Sequence, residues 1–443
     1  MKRLLTTLAL LSAAVAAPSA TPATQPLSAH RDGVVGPLLA AGDRVEISYV
    51  VDTPGVKAPT GTLYVRNDLQ RGYTSVALTP KRYHRATVHA VVPGGLIAGH
   101  RLFYYAVIKD AASGNSVTVR SPRPALVLEK PVVVRLGTHR FGHTRTPEAV
   151  VARARPNQVG WLHEGVNDGP ETFLVGRDRS IWLHDEVNHR LLVWRPGRPD
   201  AIAQTVTLPF LDAEDVALGP AGTVYFTRGL PNPPRMLLYR MSVATGKVLY
   251  RSRLAGDVGG NTQLRIGPDG TLYSLAADLG WVPVATPAGQ PLSTAAQRRG
   301  AGYLPIAPGL RLVSEAYTPN QNQAPREVRY ALLDRGGRIT SAWRVLSRTN
   351  INMNFTTPAL VGGDLVVALD ATAGQAPSFR WEYEVLRLGA RGARTRFSLP
   401  VAAYGEHLFA DLRVGPDGKL YQLASSPTTG VRINRFSLAV SVR

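Results

Sequence analysis

Eight polar residues occupy one kind of position in this sequence. Asp168, Glu171, Glu214, Asp215, Gln263, Asn354, Glu406 and Asp411 each stand just before, or at the start of, a short apolar stretch that recurs along the chain. Carboxylates gathered in this way either share protons, which raises a pKa, or recruit a hard cation, which needs several oxygen ligands converging. Asp168, Glu171, Asp215 and Asp411 are the candidate binding residues. Asp and Glu also collect at strand starts as turn residues, so spacing alone leaves a purely structural reading open. Several other chemistries are excluded. Cysteine is absent, which removes disulfides, thiolate metal sites and a thiol nucleophile. There is no G-x-S-x-G elbow, H-E-x-x-H pair, phosphate-binding P-loop or calcium loop. His139 and His143 stand four apart, a spacing that presents two ligands to a metal only on a helix, and Gly142 with the Thr-rich surroundings argues against one. No catalytic residue is assigned and no resident cofactor is expected, a divalent cation among the acids being the alternative.

The elements that position these residues are strands. Related units run from Gly169 to Trp194 and then over 214–227, 262–275, 303–314, 356–369 and 410–423, at spacings of about 40 to 55 residues. Each is an apolar strand, a turn and a second apolar strand. The turns Gly219-Pro-Ala-Gly222, Gly267-Pro-Asp-Gly270 and Gly415-Pro-Asp-Gly418 combine a Pro that presets φ, an Asp that bonds locally and a Gly that accepts φ > 0. Outer strands follow, as in MLLYRMSVATGKVLYRSRL (236–254). Six such units predict a six-bladed β-propeller over 160–443, with the acids at the mouth of its central channel.

Ahead of it, seven runs read as strands of a small β-sandwich over 43–129: 45–51, 61–66, 73–78, 86–92, 101–108, 116–120 and 125–128. The expected fold is therefore all-β, a small N-terminal β-sandwich followed by the propeller. Residues 130–159 are read as a linker, with 132–136 or 158–162 supplying the strand that closes the ring against 431–438. Met1, Lys2 and Arg3 precede an apolar run and small residues, as in a signal peptide. Removal of 1–16 is expected, leaving 17–42 as a flexible leader rich in Pro, Thr, Ser and Ala. No later stretch approaches the ~20 apolar residues of a spanning helix.

Two resemblances add to this. Phe173-Leu-Val, Ser180-Ile-Trp-Leu, Asp185-Glu-Val-Asn188-His-Arg190 and Val193-Trp194 resemble an NHL repeat, and the weaker match of the later units extends the likeness over Gly160 to Leu438. It implies a propeller used as a binding scaffold, an enzyme or a nucleic-acid platform. The units are also similar to the gluconolactonase and senescence-marker family, whose channel metal implies a carboxylate where Asp168-Gly169-Pro170 keeps one. Thr262 and Ala410 stand where that family has Asn and Asp. The stretch GHRLFYYAVIKDAASG (99–114) resembles the later strands of fibronectin type III or immunoglobulin-like modules.

The formal net charge is +20, yet only 7 of the 51 basic residues are Lys and the arginines are scattered through nearly every strand and turn. A GC-rich coding sequence explains that better than a nucleic-acid footprint, which requires clustering. No nucleic-acid partner is expected, and weak attraction to anionic envelope polymers is. The function expected is that of a secreted or periplasmic, non-catalytic binding or scaffolding protein taking a small molecule, glycan or protein at the propeller face. The alternative is a lactonase-like hydrolase or lyase using a channel cation.

Overall fold

The computed structural model describes residues 26–32, 38–56, 59–82, 86–121, 123–162, 168–210, 213–231, 234–255, 263–276, 279–318, 324–354, 358–404 and 410–439. The expected signal segment, Glu406 and Thr262 lie outside them.

Six sheets form a propeller ring, and a nine-stranded sheet curled over on itself precedes it. The curl comes from one long strand, Thr74–Arg82, whose first half pairs with Thr60–Asn67 and whose second half pairs with Ala86–Val92. The two layers thus share a strand, and Ile47, Tyr49, Leu63, Val65, Val88 and Ile108 pack between them. Part of the expected leader belongs to this domain. Ala29–Asp32 pairs with Val45–Val51 and Leu38–Ala40 with Ala125–Leu128, burying Leu27, Leu38 and Leu39. Composition averaged over 17–42 hid these short apolar stretches.

In the ring, blades one and two each have four antiparallel strands, running from Thr172–Val175 to Ile202–Thr207 and from Val216–Gly219 to Val248–Arg253. Blade three has three strands, and the helix Thr294–Gly300 follows, capped by Ser293. Its buried Gln297 accepts from the Ala255 amide and donates to the carbonyls of Arg253 and Leu292. Blade five has a divided inner edge, since Asn350–Met353 and Ala359–Val361 both pair with Asp364–Ala373. Neighbouring blades stack through apolar faces, as where Phe173, Leu183 and Trp194 of blade one meet Tyr421, Leu423 and Ile433 of blade six. The hairpin turns work as their chemistry requires. Asp269 accepts from the Thr271 amide at 3.0 Å while Gly270 takes φ +85°, and Asp417 accepts from the Lys419 amide while Gly418 takes +68°.

The ring is closed by a segment ahead of blade one, but not by either of the two expected. Ala149–Ala154 pairs antiparallel with Gly430–Phe436 as the outer strand of blade six. Val132–Gly137, the more β-prone run, instead joins Ile339–Ser347 in parallel as a fifth strand of blade four. Pro156–Gln158 forms a single 3-10 turn. The reason is geometric: 132–137 directly follows a strand seated against blade four, so blade four has the edge within reach.

That seating joins the two domains. Leu38, Leu126 and Leu128 pack on Val313, Ala331 and Leu333 of blade four. Beside them Arg329 is fully buried, donating to Glu327 Oε1 at 2.6 Å and to the Leu38 carbonyl at 3.1 Å. It also pairs with Asp43 and lies 3.6 Å from the centre of the Tyr317 ring. A second tie follows Val132–Gly137. His139 Nδ1 is 2.7 Å from Glu384 and its Nε2 2.8 Å from Glu382, so a carboxylate faces each ring nitrogen, an arrangement that favours the imidazolium. Burial alone would push its pKa down, but the bonds to Glu384 and Glu382 outweigh burial and hold it up. The H-R-F-G-H pair is therefore divided, with His139 buried against blade five and His143 exposed.

Two outcomes follow from these ties. Arg329→Ala leaves Asp43 without its cation at a buried junction and should cost about 3 to 5 kcal/mol in chemical unfolding. Unfolding curves superimposable on wild type would contradict that role for Arg329. Because the His139 pKa is raised on folding, its contribution is fully present below about pH 6.5 and is lost as pH rises through the raised value. The stability gap between wild type and His139→Gln, measured from pH 5.5 to 9, should therefore shrink with rising pH. A gap constant across that range would disprove the imidazolium.

Candidate functional site

Aligned by structure, Asp215, Gln263 and Asp411 are equivalent residues. The carbonyl of each accepts the amide of Thr227, Leu275 or Leu423 on the second strand of its own blade. Tyr303 holds the corresponding place before the inner strand of blade four. Asp215 and Asp411 thus stand at one end of the ring, but their side chains have different partners.

Asp215 is a junction of the axis. Its Oδ1 accepts from the Val216 amide at 2.8 Å and the Thr172 hydroxyl at 3.2 Å, and its Oδ2 accepts from the Leu264 amide at 2.8 Å. Arg413 approaches from blade six, 3.4 Å from Oδ1. One carboxylate therefore ties the inner strands of blades one, two, three and six. Arg265 shares this centre, and burial, then Arg413, push its guanidinium down to about 9 against the pull of Asp215. Glu171 lies elsewhere. Burial, then Glu186, Asp168 and Glu214, push it up to about 10, so it carries a proton at neutral pH. Asp411 accepts from the Tyr383 hydroxyl at 2.5 Å and is pushed up to about 6 by burial. Asp370 beside it reaches about 7, through burial and then Asp411, although bonds from Trp381 and Asn354 pull the other way.

The four candidate acids thus have different partners. Asp168 and Glu171 share one group, Asp215 answers an arginine, and Asp411 pairs with a tyrosine and Asp370. Among the described residues no three His, Asp or Glu side chains assemble as a metal-binding group. Asp185, Asn188 and Arg190 are structural: Asp185 accepts from Asn188, Arg190 and the Gly160 amide.

A large cavity lies between the domains, over the same end of the ring. It measures about 940 Å³ and is bounded by the first and last strands of the N-terminal domain and by blades three to five. Trp281, Tyr303, Leu275, Leu279 and Leu312 give it an apolar wall, and Tyr49 and Tyr104 face them. Tyr49 and Tyr330 are each only 1% exposed, and their hydroxyls make no hydrogen bond to described protein atoms. Burial, with Tyr104 adding to it at Tyr49 and Asp370 at Tyr330, holds both phenols protonated. Asn354, one of the sequence candidates, lines the cavity and bonds Asp370, which connects the cleft to the axial acids.

Asp370, Arg265, Arg413 and the cleft itself escaped the reading of the sequence. The arginines had a signal, since Leu264-Arg-Ile and Leu412-Arg-Val each set an Arg inside an apolar inner strand just ahead of Gly-Pro-Asp-Gly. Asp370 ends the apolar run Leu-Val-Val-Ala-Leu without a turn behind it, a weaker signal of the same kind. The cleft had none, because it exists only where two domains meet.

No family model and no curated protein matches this chain. Among solved structures, one described as "Marsupial T cell receptor" aligns at 10% identity over 53% of this chain and 96% of its own, with a TM-score of 0.18. A likeness at that score carries no argument about fold or function. Among the described residues no helix is long and apolar enough to cross a membrane.

The axis predicts its own mutational signature. Asp215→Ala would strand the Arg413 guanidinium and the Leu264 and Val216 amides, and should destabilise the propeller by about 3 to 5 kcal/mol. The measurement is the denaturation midpoint. A shift well under 1 kcal/mol would mean the carboxylate does not hold the inner strands together.

Proposed function

We propose that the protein is an exported, non-catalytic binding protein that holds a small molecule in the cleft between its N-terminal domain and blades three to five. One observation carries the reading. A cavity of this size, walled by Trp281, Tyr303, Leu275, Leu279 and Leu312 and bordered by Arg31 and Asn354, has the composition of a ligand site, where a few polar groups orient an otherwise apolar guest. The NHL-like first repeat supports a scaffold role, since its polar residues are spent on turn geometry. The fibronectin-like stretch supports a spacer or docking module that here forms a wall of the site. The arginine excess supports weak retention by anionic envelope polymers. A lactonase-like hydrolase with a channel cation has less behind it, because Glu171, Asp215 and Asp411 answer three different sets of partners.

The test uses an uncharged probe, 2-naphthalenemethanol, by calorimetry and thermal shift. Wild type should bind it, and at a hundred times Kd the gain in stability is about 2.7 kcal/mol. Ser314→Trp, which fills the cleft from its wall, should abolish binding while leaving circular dichroism and the melting temperature close to wild type. Unaltered binding by Ser314→Trp would place the site elsewhere. Export is checked by the intact mass of the recovered protein, which should lack residues 1–16.

A further inference from the structure

The charges on the cleft wall are unbalanced. Three arginines line it, Arg31, Arg120 and Arg123, all from the N-terminal domain, against one carboxyl, Glu315 of blade four. Arg123 tethers the two walls through the Ala301 carbonyl and lies over Tyr303. Arg31 donates to the Tyr104 hydroxyl at 2.7 Å, which fixes its guanidinium beside the aromatic wall. Arg120 is exposed and its guanidinium lies 5.3 Å from the centre of the Tyr105 ring, on the strand face away from Tyr104.

We infer that the cleft selects a small amphipathic anion, with an aromatic or aliphatic body against Trp281, Tyr303 and Leu312 and a carboxylate or phosphate head at Arg31. This rests on the cleft being the binding site. The apolar wall supplies affinity through buried area, and the guanidinium fork supplies the preference for a planar or tetrahedral oxyanion. Glu315 does not cancel that preference at neutral pH. Burial pushes its pKa up to about 8 although Arg329 of the neighbouring strand and Arg31 across the cleft both pull it down, so it is mostly a neutral hydrogen-bond donor there. Ionisation above that value adds a negative charge facing Arg31. The affinity for an anion should then fall.

Four probes that share a naphthalene body separate the alternatives: naphthalene-2-carboxylate, 2-naphthyl phosphate, 2-naphthalenemethanol and 2-naphthalenemethylammonium. Calorimetry on the full mature chain should find at least one anion bound tenfold or more tighter than the alcohol, and the ammonium weakest. Whichever anion leads tells carboxylate from phosphate. Arg31→Gln should weaken the anion about tenfold and leave the alcohol within about twofold, which a loss of folding could not do. In wild type the anion should weaken between pH 7 and 9, and in Glu315→Gln it should not. Equal binding of anion and alcohol, both abolished by Ser314→Trp, would overturn the anion preference and leave the site intact. Binding of none of the four would overturn both readings, and a fall with pH that persists in Glu315→Gln would overturn the part assigned to that carboxyl.

Discussion

A guanidinium with no access to water must be given acceptors by the protein, and Arg329 finds its acceptors in two domains at once. Glu327 lies two residues away on the same strand, while the Leu38 carbonyl and Asp43 come from the N-terminal domain. A buried ion pair adds little net stability compared with an apolar contact of the same size, but it is intolerant of misplacement, because any shift leaves a charge unpaired. The apolar contacts of Leu38, Leu126 and Leu128 can slide; Arg329 cannot. The orientation of the N-terminal domain on blade four follows from it, and so does the gap left over blades three to five. The same guanidinium acts on Glu315 in the wall of that gap, so the junction and the cleft share an electrostatic environment.

The ring has its own version of this constraint at the axis. Inner strands of a propeller converge, and the polar groups that precede them are forced together away from water. The chain resolves this differently around the circle. Between blades one, two, three and six a carboxylate meets two arginines and two backbone amides. Between blades five and six the acids Asp370 and Asp411 are eased by a tyrosine hydroxyl, an indole and an amide. At Glu171 the carboxyl keeps its proton. In each of these arrangements the polar groups of the axis answer one another within the fold.

Most of the architecture was legible in the residues. The Gly-Pro-Asp-Gly turns mark hairpins because Asp269 and Asp417 bond the amide two residues on and the final Gly takes positive φ, and neither requirement depends on tertiary context. The limits are equally physical. The stretches 29–32 and 38–40 are too short for periodicity to register and become strands only because Val45–Val51 and Ala125–Leu128 offer them edges. Val132–Gly137 has the pattern of a ring-closing strand, but pattern does not say which edge is in reach. Position in the sequence does not tell where the candidate acids turn, since a residue ahead of a strand can meet an arginine, as Asp215 does, or other acids, as Glu171 does. The cleft residues Trp281, Tyr303 and Glu315 read as ordinary strand residues. Only the opposing wall makes them the lining of a cleft.

The outer strand of blade six, Ala149–Ala154, is made before any blade of the ring, and its partner Gly430–Phe436 is made after all the others. Until the last strand leaves the ribosome, the earlier one has no edge to join, and the first and last blades lack the apolar face that each presents to the other. The contact that completes the fold is therefore also one of the most distant in sequence, and its loop-closure entropy must be met before it returns any stability. Synthesis and folding are thus ordered in time. Blades can form one after another as they emerge, but the circle itself is a late and cooperative event.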